Sequence, residues 1–420
     1  MDKIVIEGGK RLSGTVAISG AKNAALPILA ATLLTEEKCV IKNVPPLQDV
    51  LTMVRILRSL GAKAQIEDSF VTITPGQYKY YTAPYKLVST MRASICVLGA
   101  LLAKKGITRV SLPGGCVIGP RPIDLHIKGL TALGAKVKIE HGYVVAKAPQ
   151  LKGNRIYLGG QFGSSVLATA NVMMAATLAS GKTVIENAAC EPEVADLANF
   201  LLKMGAKNTG QGTPTLEIKG VKKLTGAEHS IINDRIEAGT YILAAVVTGG
   251  QIAIKGADIA YLGALIDKLK EMGVFIKATK DMILVNAKQK LSPIEMTTLP
   301  FPGFPTDLQA QMMALMCVVD GISVITEKIY PERFMHISEL NRMGARIIKE
   351  GPSAIIKGVH KLSGAPVMAS DLRASAALVL AGLVAEGKTE ISRVYHLDRG
   401  YHRLESKLSR LGARIWREKE

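Results

Sequence analysis

One helix ending recurs six times along the 420 residues, and its spacing constrains the fold more than any other feature. Each copy reads Leu-x-x-(Leu/Met)-Gly-(Ala/Val). The glycines are Gly61, Gly134, Gly205, Gly273, Gly344 and Gly412, so successive copies lie 73, 71, 68, 71 and 68 residues apart. A glycine placed directly after an apolar helix takes up the left-handed backbone that ends it at little steric cost. Solenoid repeats are shorter than this period, so each copy is a subdomain in its own right.

The order within a copy is also regular. In the sixth, Ala354-Ile355-Ile356-Lys357-Gly358 reads as a strand, Leu362-Ser363-Gly364 as a turn and Pro366-Val367-Met368 as a second strand. A helix of small apolar residues follows over 374–385, then a strand at Thr389-Glu390-Ile391, a loop from His396 to Gly400, a polar-apolar helix stopping at Gly412, and a last strand over 413–416. The first copy parallels it through Ile4-Val5-Ile6, a turn at Leu12-Ser13-Gly14, a helix over 24–34 and Gly61. The pattern predicts a mixed α/β fold, with two helices and about four short strands per copy, one helix deeply buried and the other half exposed. Six such units group into two lobes of three.

The longest uninterrupted small-apolar stretch, 374–385, is too short for a membrane span, which needs about twenty residues. With no N-terminal basic-apolar-small pattern before Ile4, the chain reads as soluble and cytoplasmic. Cys39, Cys96, Cys116, Cys190 and Cys317 are odd in number and scattered without zinc-type pairs, which points to reduced thiols. The 53 Lys and Arg against 35 Asp and Glu give a formal charge of +18, a field that attracts polyanions. Aromatic residues are few and no base-stacking motif or dense basic run occurs, which argues against nucleic acid. Most of these charges read as solvated surface lysines.

The informative charges sit at matching places. Just before the small-residue helix of each copy lie Lys22-Asn23, Arg92, Gly163-Ser164-Ser165, Asp234-Arg235, Asp307 and Arg373. Helix N-termini carry unpaired N–H groups and attract anions, whereas Lys or Arg there opposes the helix dipole. One such residue is an ordinary surface or salt-bridge group; four in six copies point to a shared anionic ligand. A second series follows the internal strand: Pro45-Pro46, Cys116, Cys190-Glu191-Pro192-Glu193, Ala257-Asp258, Ile329-Tyr330 and Asp398-Arg399. The second copy departs most, because residues 113–122 hold three glycines and three prolines around Cys116. Such a loop can bring backbone and a thiol to a ligand and can move as a lid. Beside Arg121, that thiol is a candidate nucleophile or acid, set against the common alternative of an inert buried cysteine. Cys39, Cys96 and Cys317 take the inert reading. His126 and His396 read as structural, with no metal-ligand spacing between them, and the methionines of 311–316 read as core.

Together, Ser19-Gly20-Ala21-Lys22-Asn23-Ala24, the loop 113–122, Asp234-Arg235, Pro305-Thr306-Asp307, Asp371-Leu372-Arg373 and Leu397-Asp398-Arg399-Gly400 closely resemble the enolpyruvyl transferases over essentially the whole chain. Within that family the loop cysteine and the Asp-Arg-Gly sequence resemble the branch acting on UDP-N-acetylglucosamine. The resemblance implies a two-lobed inside-out α/β barrel, with one lobe over 21–230, the other over 1–20 plus 231–420, and an active site between them. It implies transfer of the enolpyruvyl group of phosphoenolpyruvate to the 3'-hydroxyl of UDP-N-acetylglucosamine with release of phosphate, a step of peptidoglycan synthesis, with neither metal nor cofactor.

By the same resemblance Lys22, Arg121 and Arg399 clamp phosphoenolpyruvate, with Asn23, Arg92 and Arg373 beside them. Cys116 is the lid acid, helps product release and is the residue alkylated by the epoxide antibiotic fosfomycin; Asp307 is the base at the 3'-hydroxyl. Asn23, Arg92, Arg121, Pro122, Ile123, Asp124, Leu125, Asp307 and Ile329 hold the UDP-sugar. Gly163, Ser164, Ser165 and Val166 stand where the family cradles the UDP end, here offering N–H and hydroxyl donors without a lysine. Two other readings remain open: the sister enzyme acting on 3-phosphoshikimate, and a binding paralogue without catalysis. Nucleic-acid binding is a distant third.

Overall fold

A computed structural model describes every residue except 1, 77–79, 115–122, 280–281 and 420. The described chain divides into two compact units, one holding residues 20–114 and 123–232, the other residues 2–19 and 233–419. Among the described residues, no helix is long and apolar enough to cross a membrane.

Among the described residues, each unit is built around three inner helices. In the first these are Lys22–Ala31, Val97–Lys105 and Val166–Ala176; in the second, Arg235–Val247, Gln309–Met316 and Leu372–Val384. They are rich in alanine and apolar on all sides, and a helix of that kind has no face to offer water. Accordingly they are buried nearly end to end and pack against one another within their unit. Small residues allow close approach. Gly99 lies against the backbone of Asn171, and a Cβ there would fall well inside contact distance of the Asn171 carbonyl. The Asn171 side chain uses the same closeness, accepting from Gly99 N at 2.7 Å and donating to Ile95 O at 3.0 Å. Gly99→Ala is therefore expected to force these two helices apart and lower stability by about 1–3 kcal/mol, read as a fall in melting temperature. An unchanged melting temperature would contradict this packing.

Six amphipathic outer helices end at the repeated glycines, among them Gln48–Ser59 before Gly61 and Leu404–Arg410 before Gly412. All six glycines have φ between +90° and +105°. Each glycine N–H donates to the carbonyl three residues back, and the next N–H donates to the leucine carbonyl that opens the motif, as with Gly61 to Arg58 and Ala62 to Leu57. This pair of bonds satisfies carbonyls that a bare helix end would leave open, which is why the motif needs both its leucine and its glycine.

Among the described residues, six four-stranded sheets cover the inner helices, three in each unit. All six follow one plan: a short strand runs parallel to a second, which pairs antiparallel with a third, and the third pairs antiparallel with a fourth; in five of them the third and fourth form a hairpin. In one example Glu295–Thr298 lies parallel to Ile322–Glu327 (Met296 opposite Ile325). Ile322–Glu327 is antiparallel to Ser353–Lys357 (Val324 opposite Ile355), which closes on Arg346–Glu350. The helices thus lie inside and the sheets outside. Among the described residues the sheets are separate in their hydrogen bonding, so each unit is a layered shell and not a closed cylinder of strands.

The strand at 354–358, read above as opening the sixth copy, is Ser353–Lys357 and belongs to the sheet just described, with Arg346–Glu350 of the fifth copy. Its tight hairpin with Arg346–Glu350 outweighs the apparent copy boundary. The strand Arg414–Lys419 pairs with Asp2–Glu7 from the other end of the chain, Ile6 opposite Ile415. Ser13 and Gly14 belong to the strand Ser13–Ala17, parallel to Gln251–Lys255, and not to a turn. Most of the loop expected over 396–400 is taken up by a short 3-10 turn, Val394–Arg399.

Candidate functional site

The helix starts singled out above divide between the two units. In the first, Lys22 opens its inner helix and is almost fully buried, with Nζ 2.6 Å from Oδ2 of Asp49 at the head of the helix Gln48–Ser59. Burying an ammonium is costly unless a carboxylate accompanies it, so Asp49 keeps the charge in place. Asn23 follows, half-buried, on the same turn. Arg92 starts the 3-10 turn Arg92–Cys96 that runs directly into Val97–Lys105. Beside it His126 is buried, its Nδ1 2.9 Å from the Asn171 amide nitrogen. Burial, and secondarily the charge of Arg92, push its pKa down to about 3, so it stays neutral at physiological pH and acts as a structural partner.

Ile123 is buried just ahead of the helix Asp124–Ala132, whose first residue Asp124 is exposed. The Leu125 side chain lies against Gly160, in a turn closed by reciprocal hydrogen bonds between Gly160 and Gly163. This turn delivers half-buried Ser164, Ser165 and Val166 to the start of Val166–Ala176, where Ser165 Oγ accepts from Ala168 N at 3.3 Å. The structure therefore brings Leu125 and the Gly163 segment together. Cys116, Arg121 and Pro122 lie outside the described residues.

In the second unit Asp307 sits in the turn Thr306–Leu308 before its inner helix. Its Oδ1 accepts from Arg333 Nη1 at 2.9 Å and its Oδ2 from Arg373 Nη2 at 3.0 Å. Burial would push the carboxyl pKa up, but the guanidiniums of Arg373 and Arg333 outweigh it and hold Asp307 well below the usual carboxylate range. Arg373 follows the N-cap Asp371, which accepts from its backbone N at 2.8 Å. The Arg373 guanidinium is buried 5.3 Å over the Tyr401 ring, and its Nε and Nη1 meet no acceptor among the described residues. Buried donors left open in this way suit an anion. Gln311 Nε2 ties the arrangement down from beneath, donating to the Asp307 carbonyl at 3.0 Å and to Tyr401 OH at 3.2 Å.

Ile329 is half-buried in the loop after Ile322–Glu327. Arg399 ends the turn Val394–Arg399; its neighbour Asp398 is taken up by Arg417, whose two Nη atoms reach the carboxylate at 3.0 and 2.7 Å. Such a bidentate fork fixes the turn that presents Arg399.

Sequence reasoning missed Arg333, Gln311, Tyr401, Glu327 and Arg417. Glu327 alone carried a usable signal: Ser323, Ile325 and Glu327 share the buried face of an alternating strand, where a carboxylate must have partners. Among the described cysteines, Cys39, Cys96 and Cys317 are fully buried, as the inert reading requires, and Cys190 is half-buried.

The profile of the family described as EPSP synthase (3-phosphoshikimate 1-carboxyvinyltransferase) matches residues 6–408, and the chain belongs to this family of enolpyruvyl transferases. Its relatives point to one branch. It is 56% identical over 417 residues to the UDP-N-acetylglucosamine 1-carboxyvinyltransferase of Methylacidiphilum infernorum, covering 99% of each chain. It is 53% identical over 420 residues to the protein of that name from Geotalea uraniireducens, covering 100% of each. Among solved structures, the enolpyruvyl transferase NikO from Streptomyces tendae superposes with a TM-score of 0.89 at 25% identity, over 99% of this chain and 98% of that one. EPSP synthase from Acinetobacter baumannii gives 0.75 at 17% identity over 100% of both, a likeness of fold alone.

Proposed function

We propose that this protein transfers the enolpyruvyl group of phosphoenolpyruvate to the 3'-hydroxyl of UDP-N-acetylglucosamine, releasing phosphate and supplying a precursor of the bacterial cell wall in the cytoplasm. The observation that carries the reading is end-to-end identity above one half with proteins of that activity. The anion-seeking guanidinium of Arg373 beside an ionised Asp307 supports it chemically.

In this reading Lys22, Asn23, Arg92, Arg121, Arg373 and Arg399 grip the carboxylate and phosphate of phosphoenolpyruvate. Ile123, Asp124, Leu125, Pro122, Ile329 and the Gly163–Val166 segment hold the UDP-sugar along with Asn23, Arg92, Arg121 and Asp307. Cys116 delivers a proton to the methylene carbon, the sugar oxygen bonds to the adjacent carbon, and Asp307 takes the hydroxyl proton. Loss of a proton from the new methyl group then re-forms the double bond as the carbon–oxygen bond to phosphate breaks.

A general base works best with a pKa near the working pH, and Asp307 between two guanidiniums is a weak one. An anion that draws Arg373 toward itself removes one of those charges, so donor binding strengthens the base that the acceptor needs. The test is phosphate release from phosphoenolpyruvate with either acceptor. Release with UDP-N-acetylglucosamine and none with 3-phosphoshikimate is expected. The reverse would move the protein to the sister activity, whose support here is distant fold likeness, and release with neither would make it a binding paralogue.

A further inference from the structure

We infer that Glu327 is a positioning residue that fixes the acceptor-binding loop and the Asp307 carboxylate together, an inference that rests on the transfer reading above. Glu327 is fully buried at the end of the strand Ile322–Glu327, where an unpaired carboxylate is not tolerated. Its two oxygens serve different segments. Oε1 accepts from the backbone N–H groups of Ile329 at 2.8 Å and Tyr330 at 2.9 Å, and from Thr298 Oγ1 at 2.6 Å. Oε2 accepts from Thr306 Oγ1 at 2.9 Å.

The second contact has a directional consequence. Because the Thr306 hydroxyl spends its hydrogen on Glu327, its oxygen is left as the acceptor for Arg333 Nη1 at 3.0 Å. The same Nη1 donates to Asp307 Oδ1 at 2.9 Å. Arg333 is itself buried, so this chain of contacts leaves it little freedom. One carboxylate thereby sets the height of the Ile329 loop and, through Thr306 and Arg333, the orientation of Asp307. None of these atoms lies in the segments assigned to phosphoenolpyruvate except through Arg373, which reaches Asp307 by its other oxygen.

Glu327→Gln keeps the shape but puts an amide N–H group where one acceptor oxygen stood, so either the loop N–H groups face a donor or the Thr306 bond reverses and its hydroxyl hydrogen loses the carboxylate. The expected result is a KM for UDP-N-acetylglucosamine raised about tenfold and a lower kcat, with KM for phosphoenolpyruvate within about twofold of wild type. Thr326→Val, on the neighbouring residue whose hydroxyl pairs with Ser353 at 2.9 Å, is the structural control and leaves both KM values unchanged. If Glu327→Gln does not fold, the Thr306 arm decides. Thr306→Val lowers kcat about tenfold, and Thr306→Ser restores it because the hydroxyl is what matters. Equal rises in both KM values, or wild-type kinetics in Glu327→Gln or Thr306→Val, would overturn the inference. Wild-type protein inactive on UDP-N-acetylglucosamine would instead sink the functional reading beneath it.

Discussion

Asp307→Ala is expected to lower kcat by about 10²- to 10⁴-fold, the span that a positioned general base supplies, while UDP-N-acetylglucosamine binding weakens far less. Two effects combine. The hydroxyl proton loses its acceptor, and Arg333 and Arg373 lose the carboxylate that lies 2.9 and 3.0 Å from them. Stranding a buried charge is costly, so the variant is also expected to melt at lower temperature. Calorimetric titration of the UDP-sugar beside steady-state kinetics separates the two roles, and a loss of binding that accounts for the whole rate loss would leave Asp307 a ligand and not a base. Because Asp307 is held below the usual carboxylate range, wild-type activity should show no acid limb from this group. Arg333→Ala, which removes one flanking charge, should bring its pKa back up toward the ordinary carboxylate value and make such a limb visible.

Cys116→Ala is expected to reduce turnover by a comparable factor, about 10²- to 10⁴-fold, through loss of the proton donor. The same residue should be the one that fosfomycin labels, and the reason lies in the other thiols. Epoxide opening needs thiolate, and burial pushes the Cys96 and Cys317 pKa values up to about 12. Burial also raises Cys39, and burial together with the Glu191 charge raises Cys190, whose Sγ rests 3.6 Å from the Ala188 carbonyl. Peptide mass mapping after treatment reads the outcome; label on Cys190 would mean that the reactive thiol has been assigned to the wrong loop.

Local chemistry made much of the fold legible. A left-handed glycine after Leu-x-x-(Leu/Met) has one structural use, and all six copies have it. Alanine-rich stretches without a polar face could only be inner helices. What could not be read was pairing between distant segments: nothing local marks Asp2–Glu7 as partner to Arg414–Lys419, or Ser13–Ala17 as partner to Gln251–Lys255. The site divides in the same way. Lys22, Arg92, Asp307 and Arg373 stood out because they recur at equivalent helix starts. Arg333 has no counterpart in the other copies, and its importance comes from a contact with Asp307 across 26 residues of chain. Glu327 could have been suspected from its place on the buried face of an alternating strand, but its partners could not, and Gln311 looks like an ordinary helix residue until its buried contacts are known.

Product analysis decides which acceptor receives the enolpyruvyl group. With phosphoenolpyruvate and UDP-N-acetylglucosamine together, mass spectrometry and phosphate assay should find one enolpyruvyl ether at the sugar 3'-oxygen for each phosphate released. Phosphate released while the UDP-sugar is recovered unchanged, or the enolpyruvyl group found on 3-phosphoshikimate when both acceptors compete, would rule out transfer to the sugar 3'-oxygen as this protein's activity.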